Sequence, residues 1–306
     1  MKIANRSRIF IYISLAIMVV ALVMTLTGNG INYGIDFTGG LNMEYKMNST
    51  FDHADIEAAL KEQNITDYKI ATSGQNGDIL QLRIAHLSDE SEIQTLQTKL
   101  QETLLATYPE MDVTNVTTAY VGPVAGAALI RNAILSVVIA SLLMLVYIAI
   151  RFDFSSGIAA VIGLLHDVLV MVSFMVILRN FVQLNSSFIA ALLTIVGYSI
   201  NNTIVIFDRI RENNRKLSGR SGDEIVNISV KESLGRTINT TLTTLITIIT
   251  LYVVGVDAIR EFSLPIIVGI LAGAYSANLI NGYVWSALNT CLSNMKKNRK
   301  LKAKKA

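Results

Sequence analysis

The stretch "GYSINNTIVIFDRIRENNRKLSGR", residues 197–220, changes character halfway along. Its first half closes a long apolar run, and its second half carries Arg209, Arg211, Arg215, Lys216 and Arg220. An apolar run of about 20 residues that ends in clustered positive charge reads as a membrane helix reaching the cytoplasm. The same run holds Ser199, Asn201, Asn202 and Thr203 in its last turns. In hydrocarbon every unpartnered polar group is penalised by kilocalories, so these side chains need partners on neighbouring helices.

The rest of the chain agrees with a membrane reading. Of its 306 residues 52% are hydrophobic and only 16% charged, and the mean hydropathy is +0.47, a balance a soluble domain does not carry. Long apolar windows fall at Ile9–Leu26, Leu129–Ile150, Ser156–Leu178, Ser187–Phe207, Thr240–Val256 and Leu264–Ala287, predicting six spans. Lys2, Arg6 and Arg8 precede the first, as in a signal peptide, but "TLTGNGINYG" offers no small-x-small cleavage site and an uncleaved anchor is expected.

Basic residues set the orientation. They cluster at the N-terminus, after span four and in the tail "KKNRKLKAKK", whereas the loop after span three has only Arg179 and that after span five only Arg260. Both termini are therefore expected in the cytoplasm. Four regions follow: residues 1–28, the N-terminus and first helix; 29–122, outside; 123–295, helices two to six; and 296–306, a basic tail. The tail suits anionic lipid or ribosomal RNA, and lipid contact is the simpler reading.

The outer region differs in kind. Residues 30–120 hold fourteen Asp and Glu against five Lys and Arg. Alternation and helical periodicity predict strands in "GLNMEYKMN", "DYKIATS", "DILQLRIA" and "VTNVTTAYV". Helices are predicted in "DHADIEAALKEQ" and "SDESEIQTLQTKLQETLLATYP", the latter with Ser88 as N-cap. The order is βαββαβ, the split motif of an α+β ferredoxin-like domain. Cys291 is the only cysteine, so no intramolecular disulfide forms.

One anchor helix, one external domain and five more helices resemble half of an exporter of the resistance-nodulation-division type. No internal repeat supplies the other half, so a partner chain is expected. The motifs narrow this. "GIDFTGG" spans residues 34–40, "VGPVAGAAL" 121–129, "RFDF" 151–154, "LLHDVLV" 164–170, "GYSINNTIVIFDRIREN" 197–213 and "ESLGRTINTTLTTL" 232–245. Together they resemble the SecF branch of the SecD/SecF family of protein-export membrane proteins.

Each motif also has its own physical reading. In "GIDFTGG", with Gly34, Asp36, Phe37, Gly39 and Gly40, the glycines allow a tight turn into the first strand, and Asp36 bonds the local backbone; the resemblance makes this a signature, along with Asp208 and Arg209. His166 and Asp167 fall near mid-span, facing the bundle interior, as a structural hydrogen-bond pair or a proton-handling pair. No metal site is expected, because His53 and His86 lie in the outer region. In span five Arg236, Thr240, Thr243, Thr247 and Thr250 follow three- and four-residue steps, with Asn239 and Thr244 beside them. They read as interhelical glue or a polar path, with Arg236 able to meet Asn202 at the same depth. Gly269, Gly273, Ala277 and Asn281 form a small-residue stripe for close packing in span six.

Nucleotide motifs and catalytic triads are lacking, so no covalent catalysis and no cofactor is expected. The resemblance implies a proton- or sodium-driven accessory that works with SecD at the SecYEG channel on preprotein clients, with a small subunit such as YajC as a further partner. A passive assembly scaffold or insertion chaperone, and half of a small-molecule or lipid exporter, are the alternatives. Where the family commonly reads Ser-Ile-Asn-Asp-Thr, this chain has Asn202 in place of the acid. An amide does not titrate, so Asn202 carries no proton, although its carbonyl can ligate a cation or accept from Arg236.

Overall fold

The structure, a computed structural model, describes residues 3–66, 68–73, 77–84, 90–179, 182–217 and 219–303. The chain divides into two compact units, Tyr33–Leu135 and the combination of Met1–Asn32 with Ser136–Ala306.

The first unit runs α2 (Ile35–Thr38), β1 (Gly40–Lys46), α3 (His53–Glu62), β2 (Tyr68–Ser73), β3 (Ile79–Ile84), α4 (Glu90–Thr107) and β4 (Asp112–Val121), α1 lying before it in the chain at Ile3–Leu26. Its four strands form one antiparallel sheet in the order β2-β3-β1-β4. Alternation in β1 turns Leu41, Met43 and Tyr45 to one face, where they meet Ile56 and Leu60 of α3 and Leu100 and Leu104 of α4 in a closed core. Burial pushes the Tyr45 phenol above its ordinary range, and its hydroxyl donates to Met43 Sδ at 3.2 Å. Asp52 caps α3 by accepting from the Ala54 amide at 2.9 Å. Ser88, the expected cap of α4, lies outside the described residues.

Where a plain turn is expected at "GIDFTGG", the chain makes the single helical turn α2 and then two left-handed residues, Gly39 at φ 71° and Gly40 at φ 126°. A side chain at either φ strains the backbone by about 1–3 kcal/mol. A methyl group on Gly126 would stand 3.1 Å from the Phe37 carbonyl oxygen, so this motif also receives a closely approaching helix backbone.

The second unit is helical. After α5 (Pro123–Arg151) come α6 (Phe154–Ile177), α7 (Ser186–Lys216), α8 (Gly222–Val254), α9 (Asp257–Ser276), a π-helical turn at Ala277–Asn281 and α10 (Gly282–Ala303). Among the described residues six helical stretches are long and apolar enough to cross a membrane: residues 7–26, 126–148, 154–177, 186–216, 222–254 and 259–292. The protein is a multi-pass membrane protein. Side-chain caps start three of these helices: Asp153 for α6, Asn185 for α7 and Ser221 for α8.

Two limits differ from the hydropathy reading. α8 begins at Gly222, well before Thr240, because the Ser221 cap and the first-turn acids Asp223 and Glu224 start a helix whatever the hydropathy. The last span is interrupted by the π turn, which resets the four-residue phase of the small-residue stripe. Gly269 and Gly273 keep their packing role, lying against Ile195 and Ser199 of α7, whereas Asn281 takes up a polar contact.

Candidate ion-coupling site

α6 and α7 bring the central polar groups together. Gly163 and Asp167 lie one turn apart on α6, and Ser199 and Thr203 one turn apart on α7, so each pair shares a face. Asp167 has no exposed surface. Its Oδ1 is 2.9 Å from His166 Nδ1, and its Oδ2 accepts a hydrogen bond from Ser199 Oγ. One turn along, the Asn281 amide lies against Gly163 and donates to Thr203 Oγ1 at 2.9 Å.

Helix α1 completes the group. Ser14 Oγ stands 2.7 Å from His166 Nε2 and 3.0 Å from the Tyr275 hydroxyl of α9. Tyr275 in turn donates to the Phe10 carbonyl. The sequence reading missed Ser14, Tyr275 and Gly163. A lone serine in an apolar helix and a tyrosine in another carry no mutual signal until the helices are packed.

Asn202 is buried on α7, and its Nδ2 has no hydrogen-bond partner among the described residues. Arg236 does not meet it. That guanidinium is exposed on α8 and makes no hydrogen bond or ion pair among the described residues. The reason lies in helix phase. The inward stripe of α8 is Ser229, Ser233, Thr237 and Thr241, all buried, and Arg236 is turned about 100° from Thr237. Asn239, Thr243, Thr247 and Thr250 are exposed on the outer side with it, while Thr240 and Thr244 are half-buried. Their threonine hydroxyls bond back to their own helix, Thr240 to the Arg236 carbonyl at 2.9 Å, Thr243 to Asn239 at 3.0 Å and Thr247 to Thr243 at 3.1 Å. Asn201, expected as an interhelical contact, is also exposed, one step round α7 from the buried face.

The signature residues at the basic end of α7 hold helix ends together. Asp208 pairs with Arg151 at 3.3 Å. Arg209 reaches Glu212 at 2.6 Å and Glu232 of α8 at 2.7 Å, and Asn213 donates to the same Glu232 carboxylate at 2.7 Å. These pairs are largely solvent-exposed, so each adds at most about 1 kcal/mol and their effect is to set helix register. Among the described residues no three His, Cys, Asp or Glu side chains gather as metal ligands.

Comparison with known proteins gives a consistent picture. The family profile "Protein export membrane protein SecD/SecF, C-terminal" matches residues 100–290, and the "SecD/SecF GG Motif" profile matches residues 25–50. A protein translocase subunit SecF from Endomicrobium trichonymphae is 33% identical over 302 residues, covering 98% of this chain and 93% of that protein. The SecF subunit of Rickettsia felis is 34% identical over 271 residues, 88% of this chain and 85% of its own length. The crystal structure of SecDF from Thermus thermophilus, described as a translocon-associated membrane protein, matches with a TM-score of 0.78 at 34% identity. That match covers 95% of this chain and 38% of the SecDF chain, so the present chain corresponds to little more than a third of it.

Proposed function

The chain belongs to the SecD/SecF protein-export family, and from that premise we propose that it draws on an ion gradient to assist preprotein translocation. It has a SecF-like role in protein translocation. In the proposed arrangement it lies in the bacterial cytoplasmic membrane with both termini inside. The acidic α/β unit, which we assign to the ferredoxin-like class from its split βαββαβ order, faces outward toward the client chain. SecD supplies the other half of the bundle, and SecYEG is the channel served.

The observation that carries the energy-coupling reading is Asp167. A carboxylate with no exposed surface, in a helix long enough to cross a membrane, costs several kilocalories to keep ionised, and such residues mark ion pathways. No nucleotide-binding motif is present in the sequence to offer another energy source. Coupling arises if ion binding between the helices favours one arrangement of the outer unit over another.

A passive scaffold is favoured by a different observation. The outer face of α8 carries Arg236, exposed just before the apolar stretch and without a partner among the described residues, where another polypeptide can meet it. Collapsing the proton and sodium gradients separately while timing preprotein release from the channel separates the two. Release slowed by loss of one gradient supports coupling; release indifferent to both leaves the scaffold.

A further inference from the structure

Among the described residues of α1 only Ser7, Ser14 and Ala21 are buried, at steps of seven. One narrow line of small side chains lets the backbone of α1 approach α6 closely, and it leaves Ile13 and Ile17 flanking that line. On the side of α9 the space beside the seam is a cleft of about 300 Å³. The most buried of its lining residues are Val170 of α6 and Ala272 of α9, at 6% and 5% exposure, and the most exposed are Ile13 of α1 and Leu271 of α9, at 48% and 51%. The cleft therefore has a floor inside the helical unit and opens sideways between α1 and α9. We infer that it is a lipid site, holding one acyl chain of a membrane phospholipid. The inference concerns binding and does not depend on the ion-driven reading above.

Depth, polarity and width select that occupant. Ile13 and Ile17, Val170 and Phe174, and Val268 and Leu271 all lie inside stretches long and apolar enough to span a membrane. A sideways opening at that depth meets hydrocarbon chains and not water. From Val268 to Tyr275 the α9 wall extends about 10 Å at 1.5 Å per residue, roughly a third of a hydrocarbon core, so the cleft takes part of one chain.

Polar ligands find nothing to bind. Among the lining residues only Ser14 and Tyr275 carry hydroxyls, and both are engaged. Tyr275 donates to the Phe10 carbonyl, and Ser14 Oγ stands 3.0 Å from the Tyr275 oxygen and 2.7 Å from His166 Nε2. The Phe10 and Tyr275 rings meet edge to face at 5.6 Å, which ties α1 to α9 at that end of the cleft. An apolar cavity of ~150 Å³ stays dry and accepts benzene, and this one has about twice the volume.

Width excludes a neighbouring helix. A helix is about 10 Å across with its side chains, and a single 5.4 Å turn of one needs more than the whole cleft. Another helix can cover the opening without filling it, whereas a flexible run of methylenes enters. With a chain in place α1 gains a second line of apolar contact beside Ser7, Ser14 and Ala21. The bound lipid is then a wedge that holds the first helix against α9.

The test uses the full chain in nanodiscs of phosphatidylethanolamine and phosphatidylglycerol, doped with phosphatidylethanolamine that carries a diazirine halfway along one acyl chain. After illumination the labelled peptides are mapped by mass spectrometry, with the exposed face of α5 at Leu142 and Leu143 as the measure of ordinary boundary lipid. The expected result is several-fold more label on residues 13–17, 170–174 and 268–272 than on that face. The excess should saturate as the mole fraction of labelled lipid rises, while labelling of α5 rises in proportion. Ala272→Leu puts bulk into the floor and should cut the excess several-fold with α5 labelling unchanged. Cleft labelling equal to that of α5, or without saturation, overturns the inference, as does an excess that Ala272→Leu leaves intact. Loss of the cleft label when the SecD half is reconstituted in the same discs also overturns it, because a partner side chain then occupies the space. The comparison of cleft with α5 needs no substitution, so a misfolded variant cannot mask it.

Discussion

The helical unit carries two polar stretches that look alike in sequence and meet opposite fates. On α6 and α7, His166, Asp167, Ser199 and Thr203 turn inward and find partners on α1 and in the π turn. On α8, Arg236, Asn239, Thr243 and Thr247 turn away from the bundle, and the arginine meets nothing among the described residues. A buried network with its bonds closed can hold an internal state of the helices. An exposed cation on the outer face of a helix is instead available to a second polypeptide or to the lipid surface.

The contrast is sharpest where a buried partner is removed. Asp167→Ala strips His166 Nδ1 and Ser199 Oγ of their acceptor at once, and breaking a buried charged pair on one side costs about 3–5 kcal/mol. Unfolding of the detergent-solubilised chain by SDS titration should show that loss. Gly163→Leu should follow at about 1–3 kcal/mol, since any side chain there overlaps the Asn281 amide and pushes it from Thr203. If Gly163→Leu were neutral in the same titration, the tight polar seam between α6 and the π turn would not exist.

How far the sequence spoke differs between these places. In "GLNMEYKMN" strict alternation determines the strand and, farther on, Asp52 determines the start of α3, since a two-residue period and an N-cap act over a few neighbours. The six spans were legible for the same reason, because length and hydropathy are local sums. The face of a polar stripe is not local. Arg236 and Thr237 are adjacent on α8, and which one points inward depends on how α7 and α9 pack against it. His166–Asp167 was visible as an oddity in a greasy helix, but its link to Ser14 spans 152 positions of sequence and exists only after packing. The π turn was hidden as well, because its residues "ANLIN" fit an α-helix by propensity and only the backbone hydrogen-bond pattern distinguishes them.

On the outward side the effect should move from stability to association. Arg236→Gln should leave SDS unfolding of the chain alone within about 0.5 kcal/mol, the usual range for a side chain without contacts. In membranes that also hold the SecD half, the same change should lower the co-purified fraction several-fold. Equal recovery of the two forms would show that this arginine faces lipid and not a partner.

The threonines of the same stripe set the lower bound of the comparison. Thr243 and Thr247 already return their hydroxyls to carbonyls of their own helix at 3.0 and 3.1 Å, so neither leaves a polar group waiting for a second chain. Such back-bonding makes a threonine nearly as comfortable in lipid as valine, and interhelical hydroxyl bonds in membranes are themselves worth only about 0.6 kcal/mol. Thr243→Val and Thr247→Val should accordingly change both SDS unfolding and co-purification by less than Arg236→Gln does, even though all three positions share one face. A loss of co-purification in Thr247→Val comparable to that in Arg236→Gln would mean that the partner reads the hydroxyls directly, and the stripe would then act as a continuous polar surface and not as a single charge on an otherwise self-satisfied helix.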